Sequence, residues 1–130
     1  MTAIFDHVGI RVSDFERSKV FYREALGVLG IELLYDKTLP DGGVAGFGKD
    51  RSSFFISSGR PLRGETHLAF AAGSEAEVNA FHSVAISTGG RDNGAPGPRP
   101  HYRPGYYAAF VLDPDGNNVE AVFVGKEGQP

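Results

Sequence analysis

The chain has 130 residues and no cysteine; 41% of its residues are hydrophobic, 22% are charged, and its formal net charge is −3. That is one domain's length, enough to bury roughly two thirds of the unfolded surface in a single core. Without cysteine there is no disulfide framework, thiolate metal site or thiol nucleophile, so any metal is held by nitrogen and oxygen. No basic stripe suits nucleic acid or an anionic membrane, and no leader or run of about 18 apolar residues is seen, so a cytoplasmic protein is expected.

Residues 3 to 12 alternate with the period of a strand, Ile4 and Phe5 leading into Val8, Ile10 and Val12, with His7 set among them. Ser13 to Glu16 reads as an S-x-x-E capping box opening a helix that carries Phe21, Tyr22, Ala25 and Leu26 toward a core and stops at Gly27 or Gly30. Three strand-like runs follow, "IELLYD", "GVAGFGK" and "SSFFISS", divided by the turn signals "PDGG" and "DRSS".

After "RPLRGE" the pattern restarts. "THLAFAA" reads as a strand, Ser74 to Glu77 as a second capping box, and "EAEVNAFHSVAIST" as a helix halted by Gly89 and Gly90. The stretch "GRDNGAPGPRPHYRPG" is expected to be a long functional loop in place of a clean strand. "YYAAFVLD" and "NNVEAVFV" then form a hairpin across "DPDG", which is a type I turn with Asp113 accepting backbone bonds and not a calcium or catalytic motif.

The halves superpose by number. His7 and His67, Phe21 and Phe81, and Gly30 and Gly90 each stand 60 apart, and Ser13 and Ser74 stand 61 apart. An internal duplication of one βαβββ unit is implied, a module at about residues 3–60 and another at about 64–124 within a single domain.

A lone histidine on an apolar strand is ordinarily a core residue bonded to a carbonyl. Two at equivalent places of a duplicated unit would be related by a pseudo-twofold axis and would point into one shared concavity, as a metal site requires. Glu120 sits mid-strand between apolar neighbours, on a face with Asn118 and Val122. A buried carboxylate costs several kcal/mol unless compensated. Arg11 could neutralise it; a divalent cation held with His7 and His67 would do so more completely. Two imidazoles and a carboxylate leave positions open to water or substrate, the layout of a catalytic ion.

The segments "HVGIRVSDFERSKVFYREALG", "THLAF" and "AAFVLDPDGNNVEAV" resemble the vicinal oxygen chelate superfamily, which groups glyoxalase, bleomycin-resistance and dioxygenase proteins, over residues 4 to 124. The resemblance implies an α+β fold of two βαβββ modules in a curved, incomplete barrel, around one divalent metal ion (Zn, Ni, Mn or Fe) that chelates vicinal oxygens of a small substrate. His7, His67 and Glu120 fall on the family's ligand positions. Its fourth ligand, a Glu, falls near Phe55 or Ser57, neither of them an acid, and this departs from glyoxalase I itself.

The resemblance assigns Arg11 to a substrate carboxylate, with pairing to Glu120 or Asp6 as the bland alternative. His101 and Tyr102 are candidates for proton transfer beside Glu120, with a surface role as the alternative. Tyr106, Phe110, Phe55 and Ser57 are candidate pocket walls, whereas His82 reads as nonfunctional. A homodimer is implied, in which the site lies within one chain or is shared between two.

The expectation is a metal-dependent lyase-like or dioxygenase-like enzyme acting on an anionic or oxygen-rich small molecule. The rivals are a metal-free, drug-binding dimer of bleomycin-resistance type and a fosfomycin-resistance-like thiol transferase. Against the last, Phe110 stands where that group carries a tyrosine, and the flanking basic residues are missing. A vestigial pocket in a regulatory partner is a further possibility.

Overall fold

A computed structural model describes residues 5–61 and 66–129. Its first half runs β1 (Val8–Val12), α1 (Phe15–Gly27), β2 (Glu32–Leu39), β3 (Gly42–Gly48) and β4 (Ser52–Ser58). The second repeats that order as β5 (His67–Ala71), α2 (Glu75–Ser87), β6 (Arg91–Pro98), β7 (Tyr106–Leu112) and β8 (Asn118–Val124), before a short 3-10 turn at Lys126–Gly128. Each half makes its own four-stranded sheet, ordered β1-β4-β3-β2 and β5-β8-β7-β6, and in each the first strand lies parallel to the last. The fold is therefore α+β, built as two βαβββ modules whose sheets stay open.

One core serves both modules. Phe21, Tyr22, Ala25 and Leu26 of α1 pack with Val12, Phe47 and Ile56 of the first sheet, with Val78, Phe81 and Ala85 of α2, and with Val111, Val119 and Ala121 of the second sheet. Burying each large side chain is worth about 1.5–3 kcal/mol, so neither module holds its apolar face without the other. Polar cross-links add register. Tyr22 Oη donates to Asp113 Oδ2 at 2.5 Å, and both Ser13 N and Ser13 Oγ donate to Asp115.

Four local expectations are corrected. The first strand begins at Val8, opposite Phe54, and not at residue 3; residues 3 and 4 lie outside the described residues. Just before it, the Asp6 carboxylate is drawn off the strand line to His7 Nδ1 at 2.8 Å and Arg51 Nη2 at 3.2 Å. His7 thus precedes the strand, exposed. The cap of α1 is Asp14, whose Oδ1 accepts from Arg17 N at 3.1 Å, because Ser13 is engaged with Asp115 and Glu16 turns to Lys19. At the second box Ser74 caps as expected, its Oγ accepting from Glu77 N at 3.1 Å, while Glu77 Oε1 accepts from Gly73 N at 2.7 Å, one residue before the cap. Finally, residues 91–98 are not a loop but β6. It is an edge strand, which tolerates Pro96 and Pro98, and the register shifts around Gly94 absorb the irregular spacing. Only residues 99–105 remain a loop.

The turn at Asp113 is as read. Asp113 Oδ1 accepts from Asp115 N and Asn117 N at 2.9 and 2.8 Å, and Gly116 N closes onto Asp113 O at 2.9 Å.

Candidate functional site

Side chains alternate across a strand, so β8 sends Val119, Ala121 and Phe123 to the core and Asn118, Glu120 and Val122 to the open face of its sheet. β5 lies in parallel register, His67 opposite Asn118 and Ala69 opposite Glu120, which sends the imidazole of His67 to the same face. His67 Nε2 meets Glu120 Oε1 at 2.9 Å, with 45% of the histidine side chain exposed and 3% of the glutamate's. On the other side Tyr106, from β7, donates its hydroxyl to Glu120 Oε2 at 2.5 Å. Burial first, and then this bond to a carboxylate, push the Tyr106 phenol up to about 12.

Behind His67 the network continues through amides. Asn118 Nδ2 donates to His67 Nδ1 at 2.9 Å, and Asn118 Oδ1 accepts from Asn93 Nδ2 at 3.1 Å. Phe110 stacks on His67 with ring centroids 6.2 Å apart and planes 23° from parallel. His101 and Tyr102 lie on the exposed loop, their rings 4.4 Å apart, and the Tyr102 ring meets Tyr106 edge-on at 5.1 Å. A line of aromatic groups thus leads from the surface loop to the buried carboxylate.

The first module carries the counterpart without the acid. Gly9 pairs with Phe55 in β1–β4 as Ala69 pairs with Glu120 in β5–β8, so Phe55 is the register equivalent of Glu120. His7 meets the edge of that phenyl ring at 5.5 Å and bonds to Asp6. Gly46 stands opposite Phe55 as Phe110 stands opposite Glu120; a Cβ on Gly46 would come within 2.8 Å of the Phe55 ring, so its absence makes room for it. Ser57 pairs with Arg11 farther along the sheet.

The structure therefore brings together His67, Glu120, Tyr106 and Phe110, with Tyr102 and His101 beyond them. It does not bring His7, Arg11, Phe55 or Ser57 to them. Among the described residues, no three His, Asp or Glu side chains converge within one chain into a group that could hold a metal ion. Arg11 pairs with neither Glu120 nor Asp6; it lines a separate cavity of about 190 Å³ with Arg60, Thr66 and Asn117. His82 braces β6, its Nε2 2.9 Å from Asp92 Oδ1. Asn118, bonded to the imidazole, and Asn93, bonded in turn to Asn118, were missed. The period-two face shared with Glu120 pointed to Asn118; nothing local pointed to Asn93.

His67 and Glu120 suit a divalent ion as far as they go. Adjacent ligands of an octahedral ion with bonds of about 2.1 Å stand about 3 Å apart, and the 2.9 Å between Nε2 and Oε1 matches. The mix of imidazole and carboxylate suits a borderline or hard metal. A third protein donor has to come from elsewhere.

Comparison with known proteins agrees with this architecture. The chain matches the Glyoxalase/Bleomycin resistance protein/Dioxygenase superfamily over residues 4–121. A glyoxalase/bleomycin resistance protein from Albidiferax ferrireducens T118 is 32% identical, with 93% of this chain and 98% of that chain covered and a TM-score of 0.78. A glyoxalase I mutant from Zea mays is 26% identical, with 90% of this chain and 45% of that one covered and a TM-score of 0.67. The fosfomycin resistance protein FosX from Listeria monocytogenes shares the fold at 20% identity, with both chains covered completely and a TM-score of 0.71. No curated protein matches. With the family matched over nearly the whole chain and both modules in place, the chain belongs to the Glyoxalase/Bleomycin resistance protein/Dioxygenase superfamily.

Proposed function

We propose that this protein is a divalent-metal-dependent enzyme acting on a small, oxygen-rich, anionic molecule, with His67 and Glu120 as two ligands and His7 of the partner subunit of a homodimer as the third. The observation that carries the reading is the His67–Glu120 pair: a half-exposed imidazole beside a buried carboxylate, on the open face of a sheet, at positions to which the sequence resemblance assigns metal ligands. His7 is exposed on its own module and so available to a second copy. When bound, the ion would serve as a Lewis acid for vicinal substrate oxygens.

The chain's own groups do the rest. Tyr106 keeps its proton throughout the neutral range and donates it to Glu120 Oε2, its oxygen 2.5 Å away, a donor poised beside the carboxylate. Tyr102 and His101 line the approach from the loop and offer a path for proton exchange with solvent. With Phe55 where a second acid would stand, a reaction that shuttles protons between two glutamates is disfavoured.

A second reading has one observation in its favour. Glu120 is already satisfied by two hydrogen bonds, as it would be in a metal-free, small-molecule-binding dimer.

Metal analysis of untagged protein purified without chelators separates the two. The enzyme reading expects near-stoichiometric divalent metal that falls at least tenfold in Glu120→Gln and His67→Ala; its absence from the wild type leaves the binding protein. The shared site has its own test. His7→Ala and Glu120→Gln each lose metal, but unfolded and refolded together they recover about a quarter of the wild-type sites, because half of randomly formed dimers are mixed and each holds one intact site. No recovery would place His7 in the site of its own chain, and metal retained by His7→Ala would place it outside the site.

A further inference from the structure

The loop after β6 holds an arginine that the metal-centred reading leaves unused. Arg99 curls back over the strand it leaves, its Nη1 donating to Gly97 O and its Nη2 to Ala95 O, each at 2.8 Å. Its guanidinium lies 5.5 Å from the centre of the Phe110 ring, and its backbone N–H bonds to Tyr106 O at 2.7 Å, closing the base of the loop. Gly94 makes this possible. Its φ is +154°, and a Cβ there would stand 3.0 Å from Phe110 Cδ1 and 3.4 Å from Arg99 Nη2. The guanidinium is thus held before any ligand arrives, so little of its side-chain entropy remains to be lost on binding.

Its charge is not spent inside the protein. Among the described residues no carboxylate pairs with Arg99: Asp92 is taken by His82 and Glu120 by His67. Of five guanidinium N–H donors, carbonyls take two. Arg99 lines a cavity of about 290 Å³ with Asn93, Gly94, Tyr102, Phe110 and Asn118. Two walls of that cavity touch the candidate metal centre, Phe110 stacking on His67 and Asn118 bonding to its Nδ1.

We infer that this cavity binds the oxyanion group of the substrate, of carboxylate, phosphonate or phosphate type, and that Arg99 rather than Arg11 is its anchor. A planar guanidinium with free donors recognises such groups through paired hydrogen bonds, and the amide of Asn93 and the hydroxyl of Tyr102 add polar partners on the cavity wall. Arg11 lines a cavity that shares no residue with this one. The inference rests on the proposed function in one respect: the anion belongs to the molecule whose other oxygens reach His67 and Glu120. Binding of the anion alone needs no metal.

The test is a calorimetric titration of the metal-free, full-length protein with inorganic phosphate, methylphosphonate and acetate, chloride holding the ionic strength constant. One saturable site per chain is expected for at least one of these probes. Affinity should fall at least tenfold in Arg99→Gln, less in Arg99→Lys, and not in Arg11→Gln or Arg60→Gln. Should Arg99→Gln fold poorly, ¹⁵N spectra of the wild type supply the readout, since the Gly94 amide and the Asn93 and Asn118 side-chain amides should shift as the probe saturates. No saturable binding, equal affinity in a folded Arg99→Gln, or shifts centred on Arg11 and Arg60 overturns the inference. Metal content, measured on protein purified without chelators before its metal is stripped for the titration, keeps the two readings apart. Anion binding at Arg99 in a protein that carried no metal as purified removes the metal-enzyme reading alone, and metal as purified without anion binding removes Arg99 alone.

Discussion

Glu120 is almost fully buried yet keeps His67 and Tyr106 on its two oxygens, whereas Tyr22 gives Asp113 the same kind of bond where no substrate reaches. The second pair is structural, and its loss is measurable. Tyr22→Phe removes a donor from a buried carboxylate and should cost about 1–3 kcal/mol in urea unfolding. Burial, and then the nearby Asp113, hold the Tyr22 phenol well above its ordinary value. Stability from keeping it neutral is therefore complete below pH 10, the value in the unfolded chain, and drains away as pH climbs from there toward the folded value. Wild-type urea midpoints should fall more steeply above pH 10 than those of Tyr22→Phe; equal slopes would mean that Tyr22 ionises freely in the fold. Strand alternation alone put Asn118, Glu120 and Val122 on one face. The partners of His7 were not legible, because Arg51 reaches Asp6 across 45 positions and no local pattern encodes that contact. Nor was the Tyr106 bond to Glu120, which depends on the β7–β8 register, Tyr106 being paired with Val124 and Glu120 with Phe110.

Caps and turns govern the elements. Ser74→Ala should cost about 1 kcal/mol, the usual loss of a helix cap. Asp113→Ala should cost more than 3 kcal/mol, because it strands the donors of Tyr22, Asp115 and Asn117 together and each orphaned buried donor is worth about 1–3 kcal/mol. Thermal and urea melts check the order, and an Asp113→Ala variant no worse than Ser74→Ala would show that the turn is held by other contacts. The same elements show where sequence patterns mislead. The S-x-x-E box works at Ser74 and slides by one at Ser13, since Asp115, 102 positions away, competes for the serine. The Gly/Pro content of residues 91–98 argues for a loop by local propensity, but an edge place beside β7 lets a strand form despite it.

At the scale of the molecule, the near-equal offsets of His7 and His67, Ser13 and Ser74, Phe21 and Phe81, and Gly30 and Gly90 were enough to read a duplicated βαβββ unit, and the two sheets repeat one strand order. That the first copy lacks the acid was legible to within two residues, Phe55 or Ser57, and strand register selects Phe55. Both open faces lie on the sides of their sheets away from the common core, and the proposed dimer would use them; sedimentation equilibrium should give twice the 13.9 kDa chain mass, and a monomer at micromolar concentration would remove the shared site. The common core carries one more consequence, for synthesis on the ribosome. Phe21, Leu26 and Phe47 emerge first, yet Val111, Asp113 and Val119, against which the first helix and sheet are packed and tied, are made only after the whole of the first module. A nascent chain stalled near residue 61 should therefore be sensitive to protease, and folding should wait until the second module has left the exit tunnel, so that every molecule passes through an interval in which chaperones are the only cover for its first apolar helix.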